Sequence, residues 1–250
     1  MGIQGLYHTL LVGQYVFGVL TLSSLIFISA PYGRFNRKGW GPSVKARYGW
    51  IIMETPAVAM ISYWFFTAEI NPVSIVMILI WQSHYLRRTF HYPLKMKGGD
   101  KPFPILLVLM AILFNSMNGF INGYHVFHLQ EYGTDWFFDV RFIIGVVIFY
   151  IGYYINSSSD IILSSLKKSD TSGYVIPHGG LFKYVSNPHY LGEIIEWTGW
   201  AVLTWSLPGL AFAFYTFANL APRAFSHHSW YKNEFPDYPE DRKALIPFIA

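Results

Sequence analysis

The sequence predicts an all-α protein, a bundle of seven transmembrane helices with its N-terminus outside and its C-terminus cytoplasmic. Three observations predict it: an apolar composition poor in charge, seven apolar stretches of spanning length, and basic residues confined to alternate connections. The chain has 250 residues, 53% hydrophobic and 13% charged. That charged share is about half of what a soluble protein carries. So few charges cannot solvate a compact globule of this size, so lipid must be the solvent for much of it.

The apolar stretches fall near residues 8–30, 50–68, 72–90, 104–125, 141–163, 188–206 and 208–224. The last two are parted by Ser206-Leu207-Pro208-Gly209, a turn signal, and together exceed one span. Charge tests the count. Arg34, Arg37, Lys38, Lys45 and Arg47 lie between the first two stretches. Arg87 and Arg88 end the third and Lys95, Lys97 and Lys101 follow it; Lys167, Lys168 and Lys183 follow the fifth; Arg223, Lys232, Arg242 and Lys243 close the chain. That places 17 of 18 basic residues on one side, with Arg141 at a span edge the exception. The positive-inside rule makes that side cytoplasmic. A count wrong by one helix would scramble the alternation.

With no cysteine, disulfides and thiolate catalysis are excluded. The first stretch has no basic start and no small-residue cleavage pattern, so it reads as a retained helix. The start Met-Gly-Ile-Gln-Gly-Leu lacks the Ser or Thr of a myristoylation signal. No internal repeat or low-complexity linker divides the chain, and residues 1–250 read as one integral membrane domain. The membrane, bacterial inner or endoplasmic reticulum, stays open.

An ionisable group in hydrocarbon costs roughly 2.5 to 3.5 kcal/mol on the insertion scale, so each needs a reason. Glu54 lies in the second stretch, with Pro56 close behind it; Glu193 and Glu196 lie in the sixth. Helical spacing gathers the polar residues into faces: Tyr85, Arg88 and Tyr92; Asn156 and Asp160; Glu193, Glu196, Trp197 and Trp200; Arg223, His227 and Tyr231 if the last helix runs on. Asn115, Asn118 and Asn122 form a further stripe. Most of these faces end near the cytoplasmic side. They imply a polar, basic, aromatic-lined cavity opening there, suited to a ligand with an anionic part near the loops and an apolar part in the bilayer. Plainer roles compete: asparagines bond helix to helix, Arg88 can anchor at the interface, and Tyr and Trp form interfacial belts.

G-x-G-x-x-G and G-x-x-x-x-G-K-[ST] are absent, which excludes the standard nucleotide folds. H-E-x-x-H is absent. Of the candidate metal pairs, His125/His128 falls outside, while His84/His91 and His227/His228 face inward. One centre cannot use both sides, so no metal is expected. The aromatics lie in spans, so no nucleic acid is expected. The basic loops can bind acidic lipid, and nothing implies an obligate protein partner.

The run Asn187-Pro188-His189-Tyr190-Leu191-Gly192-Glu193-Ile194-Ile195-Glu196-Trp197, then Arg223-Ala224-Phe225-Ser226-His227-His228 and Lys243-Ala244-Leu245-Ile246-Pro247-Phe248, resembles the steroid 5α-reductase family. The likeness takes in Met53-Glu54-Thr55-Pro56, His84-Tyr85-Leu86-Arg87-Arg88-Thr89-Phe90, Asp139-Val140-Arg141-Phe142, Asn156 to Asp160 and Ile176-Pro177-His178-Gly179-Gly180. It covers roughly residues 45 to 250. It implies a seven-helix membrane reductase that uses NADPH to reduce an enone, typically the C4–C5 double bond of a 3-oxo-steroid. Glu54 and Tyr85 stand where the family binds the substrate ketone. Donors aimed at that oxygen stabilise the charge hydride addition puts there. Tyr85 can donate directly, Glu54 only when it carries a proton. A proton must then reach C4, from Tyr85 or from water.

The resemblance further implies that Trp50, Arg88, Tyr92, Asn118, Asn156, Asp160, Lys167, Tyr174, His189, Glu193, Arg223, His227 and Tyr231 hold NADPH. Lys167 stands where the family usually has Arg, and Met110 where the steroid enzymes have Arg. Related reductases act on enoyl-CoA or polyprenol double bonds. The Asn-Pro-x-Tyr-x-Gly segment also resembles isoprenylcysteine methyltransferases, and a non-enzymatic lipid-binding protein is a further alternative.

Overall fold

A computed structural model of the chain describes residues 2–31, 33–35, 37–166 and 174–250. Among them are eight α-helices: α1 (Ile3–Phe27), α2 (Ala46–Phe66), α3 (Pro72–Leu86), α4 (Tyr92–Lys95), α5 (Ile105–Tyr124), α6 (Val140–Ser165), α7 (Pro188–Thr204) and α8 (Leu207–Glu234). The seven long ones fall on the seven apolar stretches. The short α4 follows α3 through a π-helical turn, Arg87–His91, and a second π turn, His125–Leu129, prolongs α5. Three helices are long and apolar enough to cross a membrane: Ile3–Phe27, Ile105–Leu129 and Val140–Ser165.

The described chain is mostly helical, with one small addition. Ser43–Lys45 (β1) pairs antiparallel with Pro102–Pro104 (β2), just ahead of α2 and α5. Strands of three residues are too short to leave a period-two pattern in the sequence. From this ribbon α2 and α5 run parallel: Gly49 meets Val108 near their starts, Asn115 meets Met53 near their middles, and Gly123 meets Trp64 near their ends.

Local chemistry explains where helices start and stop. Asn71 caps α3, its side chain accepting from the backbone N–H of Val73 and Ser74 at 2.9 Å each, while Ser74 accepts from the Asn71 N–H. Asp139 caps α6 by accepting from the Arg141 N–H at 2.8 Å, and hydrogen bonds from Arg141 hold its carboxyl down at about 2. α7 stops where Trp205 turns left-handed (φ 46°), and Ser206 then caps α8 through the Gly209 N–H. The turn signal between the last two stretches therefore does separate two helices. α8 continues to Glu234, which puts Arg223, His227 and Tyr231 on one helix.

The bundle is apolar outside, and its largely apolar core encloses a few fully buried polar groups. Val12, Val19, Leu79, Leu113 and Val147 are more than half exposed, whereas Gln14, Asn118, Asn122 and Glu196 are fully buried. The buried amides are consumed in packing. Gln14 donates to the Asn118 side-chain carbonyl at 3.0 Å, Asn122 donates to the same oxygen, and the Trp200 indole donates to Asn122 at 2.9 Å. One chain of bonds thus ties α1, α5 and α7 together. Around Trp200, the rings of Trp81, Trp197, Phe149 and Phe212 fill the centre.

α6 and α7 run antiparallel with their backbones in contact. Gly145 and Gly152 on α6 face the backbones of Leu203 and Glu196, and Gly192 and Gly199 on α7 face those of Asn156 and Phe149. A Cβ at any of the four would land inside the opposing backbone, so both helices would have to separate. Gly152→Ala should therefore lower the thermal midpoint in detergent, by an overpacking cost of about 1–3 kcal/mol. Gly13→Ala on α1, where a Cβ meets nothing within 4 Å, should leave it unchanged or raise it slightly.

Candidate active site

A cavity of about 580 Å³ lies among α1, α2, α3, α5, α7 and α8. Much of its lining is apolar, from Phe17, Leu20, Met110, Phe114, Phe212 and Tyr215, and the rings of Phe114 and Tyr215 stack at 3.8 Å. Set into that lining are Glu54, His84, Tyr85, Arg88, Asn115, Glu193 and Arg223. Residues after α1, including Ser29, Arg37 and Trp40, also border it.

Glu54 of α2 and Tyr85 of α3 both line this one cavity. Asn115 holds the acid: its amide donates to Glu54 Oε2 at 3.1 Å and to the Met53 carbonyl at 2.7 Å. Tyr85 is buried against Trp81 (ring centroids 5.1 Å, near-parallel) and Trp197 (5.5 Å). Its hydroxyl has no hydrogen-bond partner among the described residues.

The π turn that follows α3 sets two consecutive arginines to different tasks. Arg88 lies over the rings of Trp50 (4.4 Å) and Tyr92 (4.7 Å), with Glu193 at 3.8 Å and Asp160 at 3.9 Å. Arg87 donates to Asp160 at 2.9 Å and to the Asn156 side-chain oxygen. Asn156 in turn donates to the His189 carbonyl at 2.9 Å and to Glu193 at 3.4 Å. Wide π turns recur at functional sites because they shift side-chain register along a helix.

Beyond this network Arg223 donates to the Tyr190 hydroxyl at 2.9 Å, and His227 stacks on Phe35 and bonds to Asn187 at 3.2 Å. Arg34 lies over Trp230 (4.2 Å), Tyr231 (4.5 Å) and Tyr174 (5.1 Å) and donates to the Tyr231 hydroxyl at 3.2 Å. Lys101 approaches the Tyr174 hydroxyl at 3.4 Å. Arg34 Nη1 and His189 Nδ1 are buried without a hydrogen-bond partner among the described residues. Clustered cations, flat rings and unpaired buried nitrogens make a donor set that fits a phosphorylated, aromatic cofactor.

The structure thus brings together Trp50, Glu54, Tyr85, Arg88, Tyr92, Asn156, Asp160, His189 and Glu193. Arg223, His227, Tyr174 and Tyr231 line the adjoining region. Asn118 stands apart: it is fully buried, bonded to Gln14 and Asn122, and absent from the cavity wall. Its stripe on α5 divides, Asn115 serving the cavity and the other two the packing. Lys167 lies outside the described residues. Arg34, Arg87 and Trp230 were not anticipated from sequence. Arg87 was hidden by its neighbour Arg88, and Arg34 read as one of many loop bases.

Fold and cavity together define a helical protein with an apolar exterior, enclosing a buried carboxyl and phenol beside a cationic, aromatic region. Comparison with known proteins agrees. The family model described as 3-oxo-5-alpha-steroid 4-dehydrogenase matches residues 101–250. The chain is 42% identical to a steroid 5-alpha-reductase of Gossypium hirsutum over 98% of each chain. It is 44% identical to a steroid 5-alpha-reductase of Arabidopsis thaliana, over 93% of this chain and 92% of that one. It is 41% identical to the 3-oxo-5-alpha-steroid 4-dehydrogenase 2 of Homo sapiens over 90% of each. The chain belongs to the 3-oxo-5-alpha-steroid 4-dehydrogenase family.

The Arg87–Asp160 pair is mostly shielded, with the two side chains 13% and 8% exposed. Asp160→Ala should strip Arg87 of its acid and lower the thermal midpoint, at the cost of about 3–5 kcal/mol typical of a broken buried pair. Arg87→Ala, leaving Arg88 3.9 Å from Asp160, should cost less. Thermal unfolding of both variants in detergent checks the order.

Proposed function

We propose that this protein reduces the C4–C5 double bond of a Δ4-3-oxo-steroid, such as testosterone or progesterone, with NADPH. The observation that carries the reading is the meeting of Glu54 and Tyr85 on the wall of one largely apolar cavity, beside Arg88 and Glu193. The names of the relatives supply the reaction class.

NADPH, when bound, supplies the hydride. Trp50, Arg88, Tyr92, Asn156, Asp160, Tyr174, His189, Glu193, Arg223, His227 and Tyr231 would hold it, with Arg34 and Trp230 added to that set. Cations would meet its phosphates, while carboxyl and amide groups would meet ribose or base. The apolar wall from Phe17 to Tyr215 would take the steroid rings and exclude water. Glu54 and Tyr85 would donate to the ketone oxygen, where negative charge builds as C5 is attacked. Donors already aimed at that point stabilise the transition state most in a dry site. Asn115 keeps Glu54 in place for this.

The same reading places the chain in a membrane as a single seven-span domain, with the basic loops cytoplasmic and the cofactor region at their level. Helix directions support it, since α2 and α5 run parallel while α6 and α7 run antiparallel, as seven successive spans require.

The test is NADPH oxidation by purified protein in detergent with testosterone, the product identified by mass spectrometry. A 5α-reduced product is expected. Tyr85→Phe and Glu54→Leu should each lower kcat by about 100- to 1000-fold, the usual effect of removing a donor to a developing oxyanion, while NADPH affinity is kept. Arg34→Ala should weaken NADPH binding, measured by fluorescence titration, about ten-fold, the scale of one charge-assisted phosphate contact. Binding of NADPH without reduction of any steroid would overturn the substrate assignment and turn attention to enoyl-CoA and polyprenol.

A further inference from the structure

One buried acid and base pair has no part in the chemistry described so far. His84 Nδ1 and Glu196 Oε1 lie 2.9 Å apart, the two side chains 2% and 0% exposed. Glu196 Oε2 is buried without a hydrogen-bond partner among the described residues. The pair bridges α3 and α7 in the interior, where an ionisable group is costly and needs a specific reason. Packing holds both members. The His84 ring lies edge-on to Tyr85 (5.0 Å) and Trp197 (4.8 Å). The backbone of Glu196 is pressed against Gly152 of α6. His84 also lines the cavity that holds Glu54 and Tyr85. With Nδ1 engaged by Glu196, the imidazole has Nε2 left for the cavity.

The reduction proposed above leaves an enolate, and the enolate needs a proton at C4. Tyr85 is poorly placed to give it. Its hydroxyl is wanted at the ketone oxygen, and no protein group among the described residues is bonded to it to replace a lost proton. His84 has such a group in Glu196. Two buried charges would forfeit their hydration, whereas a neutral carboxylic acid donating to a neutral imidazole keeps the hydrogen bond without a buried ion pair. In that state the single N–H proton of the neutral imidazole is on Nε2.

Resting on the steroid-reductase reading, we infer that His84 and Glu196 form the relay that delivers the proton to C4, leaving Glu54 and Tyr85 to the oxygen. The Nε2–H bond breaks and a C4–H bond forms with the electron pair of the enolate C3=C4 bond. The oxygen lone pair restores the C3=O bond. Nδ1 takes the proton of Glu196 Oε1, so the histidine ends neutral with its proton on the other nitrogen. Glu196 ends as a carboxylate; after product leaves, water in the cavity protonates Nε2 and Nδ1 returns its proton to Glu196, restoring the starting state. The two electrons of the reduction come from the nicotinamide, and the relay moves only a proton.

A merely structural bridge would fasten α3 to α7 and do no more, and Glu196→Gln separates the two. The amide keeps the shape and a hydrogen bond to Nδ1 but has no proton to hand over. The expected result is a variant that melts with the parent and binds NADPH and testosterone with the parent's affinities, yet shows a kcat lower by about 100-fold, within the range of a positioned general acid. Its solvent deuterium isotope effect on kcat should rise. The isotope effect from deuterium at the transferred position of NADPH should shrink, because protonation has become the slow step. His84→Gln, run alongside, should give the same pattern and serves if Glu196→Gln does not fold. An unchanged kcat, or a lower kcat with both isotope effects as in the parent, would overturn the relay and leave the reductase reading standing. A parent protein that reduces no steroid would overturn both.

Discussion

The backbone contact between α6 and α7 decides where most of the polar machinery lies. Gly145 and Gly152 on one helix, and Gly192 and Gly199 on the other, recur every seven residues, so the same face meets its partner turn after turn. In an apolar medium helices gain little from burying greasy side chains against each other. Close approach and hydrogen bonding take over as the forces that hold them. With the two helices this near, Asn156 reaches both the His189 carbonyl and Glu193. Asp160 then falls within reach of Arg87 and Arg88. A wider α6–α7 spacing would pull these groups apart and leave several charges without partners.

From that contact the rest of the site follows in layers. The arginines of the π turn carry the network to α3, and Tyr85 sits one turn before them. Trp81 and Trp197 hold the Tyr85 ring, and Asn115 holds Glu54 in the same cavity. The C-terminal tail closes the other end: Asn187 donates to the carbonyls of Ala224 and Ala244, and Arg242 is buried against the Pro177 carbonyl. Each costly polar group is thereby positioned by another polar group or by a stacked ring. Such mutual support lets a site keep a fixed geometry inside a largely apolar bundle.

The arrangement also separates two kinds of surroundings. Arg34, Trp230, Tyr231 and Tyr174 collect where the basic connections lie, a setting suited to phosphate. Phe17, Met110, Phe114 and Tyr215 lie among the helices, a setting suited to an apolar ring system. Glu54, Tyr85 and His84 line the same cavity, and Glu196 is bonded to His84. A reductase of a lipophilic enone needs this order, because its water-soluble cofactor and its lipid-soluble substrate arrive from different phases.

The sequence by itself determined the seven long helices, since the length and spacing of apolar stretches are properties of the chain alone. It also marked Glu54, Tyr85, Arg88, Asp160 and Glu193, because a polar group in an apolar run stands out without any structure, and the resemblance gave them roles. The last helix could be extended to Tyr231 on its spacing. Only the tertiary structure decided which polar residues face which. Periodicity tells which residues share a face of one helix, but not toward which neighbour that face turns. Asn115, Asn118 and Asn122 therefore looked alike until α1 and α7 claimed the last two through Gln14 and Trp200. His84 and Glu196 are far apart in sequence, and their hydrogen bond exists only because the aromatic packing around Trp197 and the glycine contacts of α7 fix the position of one helix against the next.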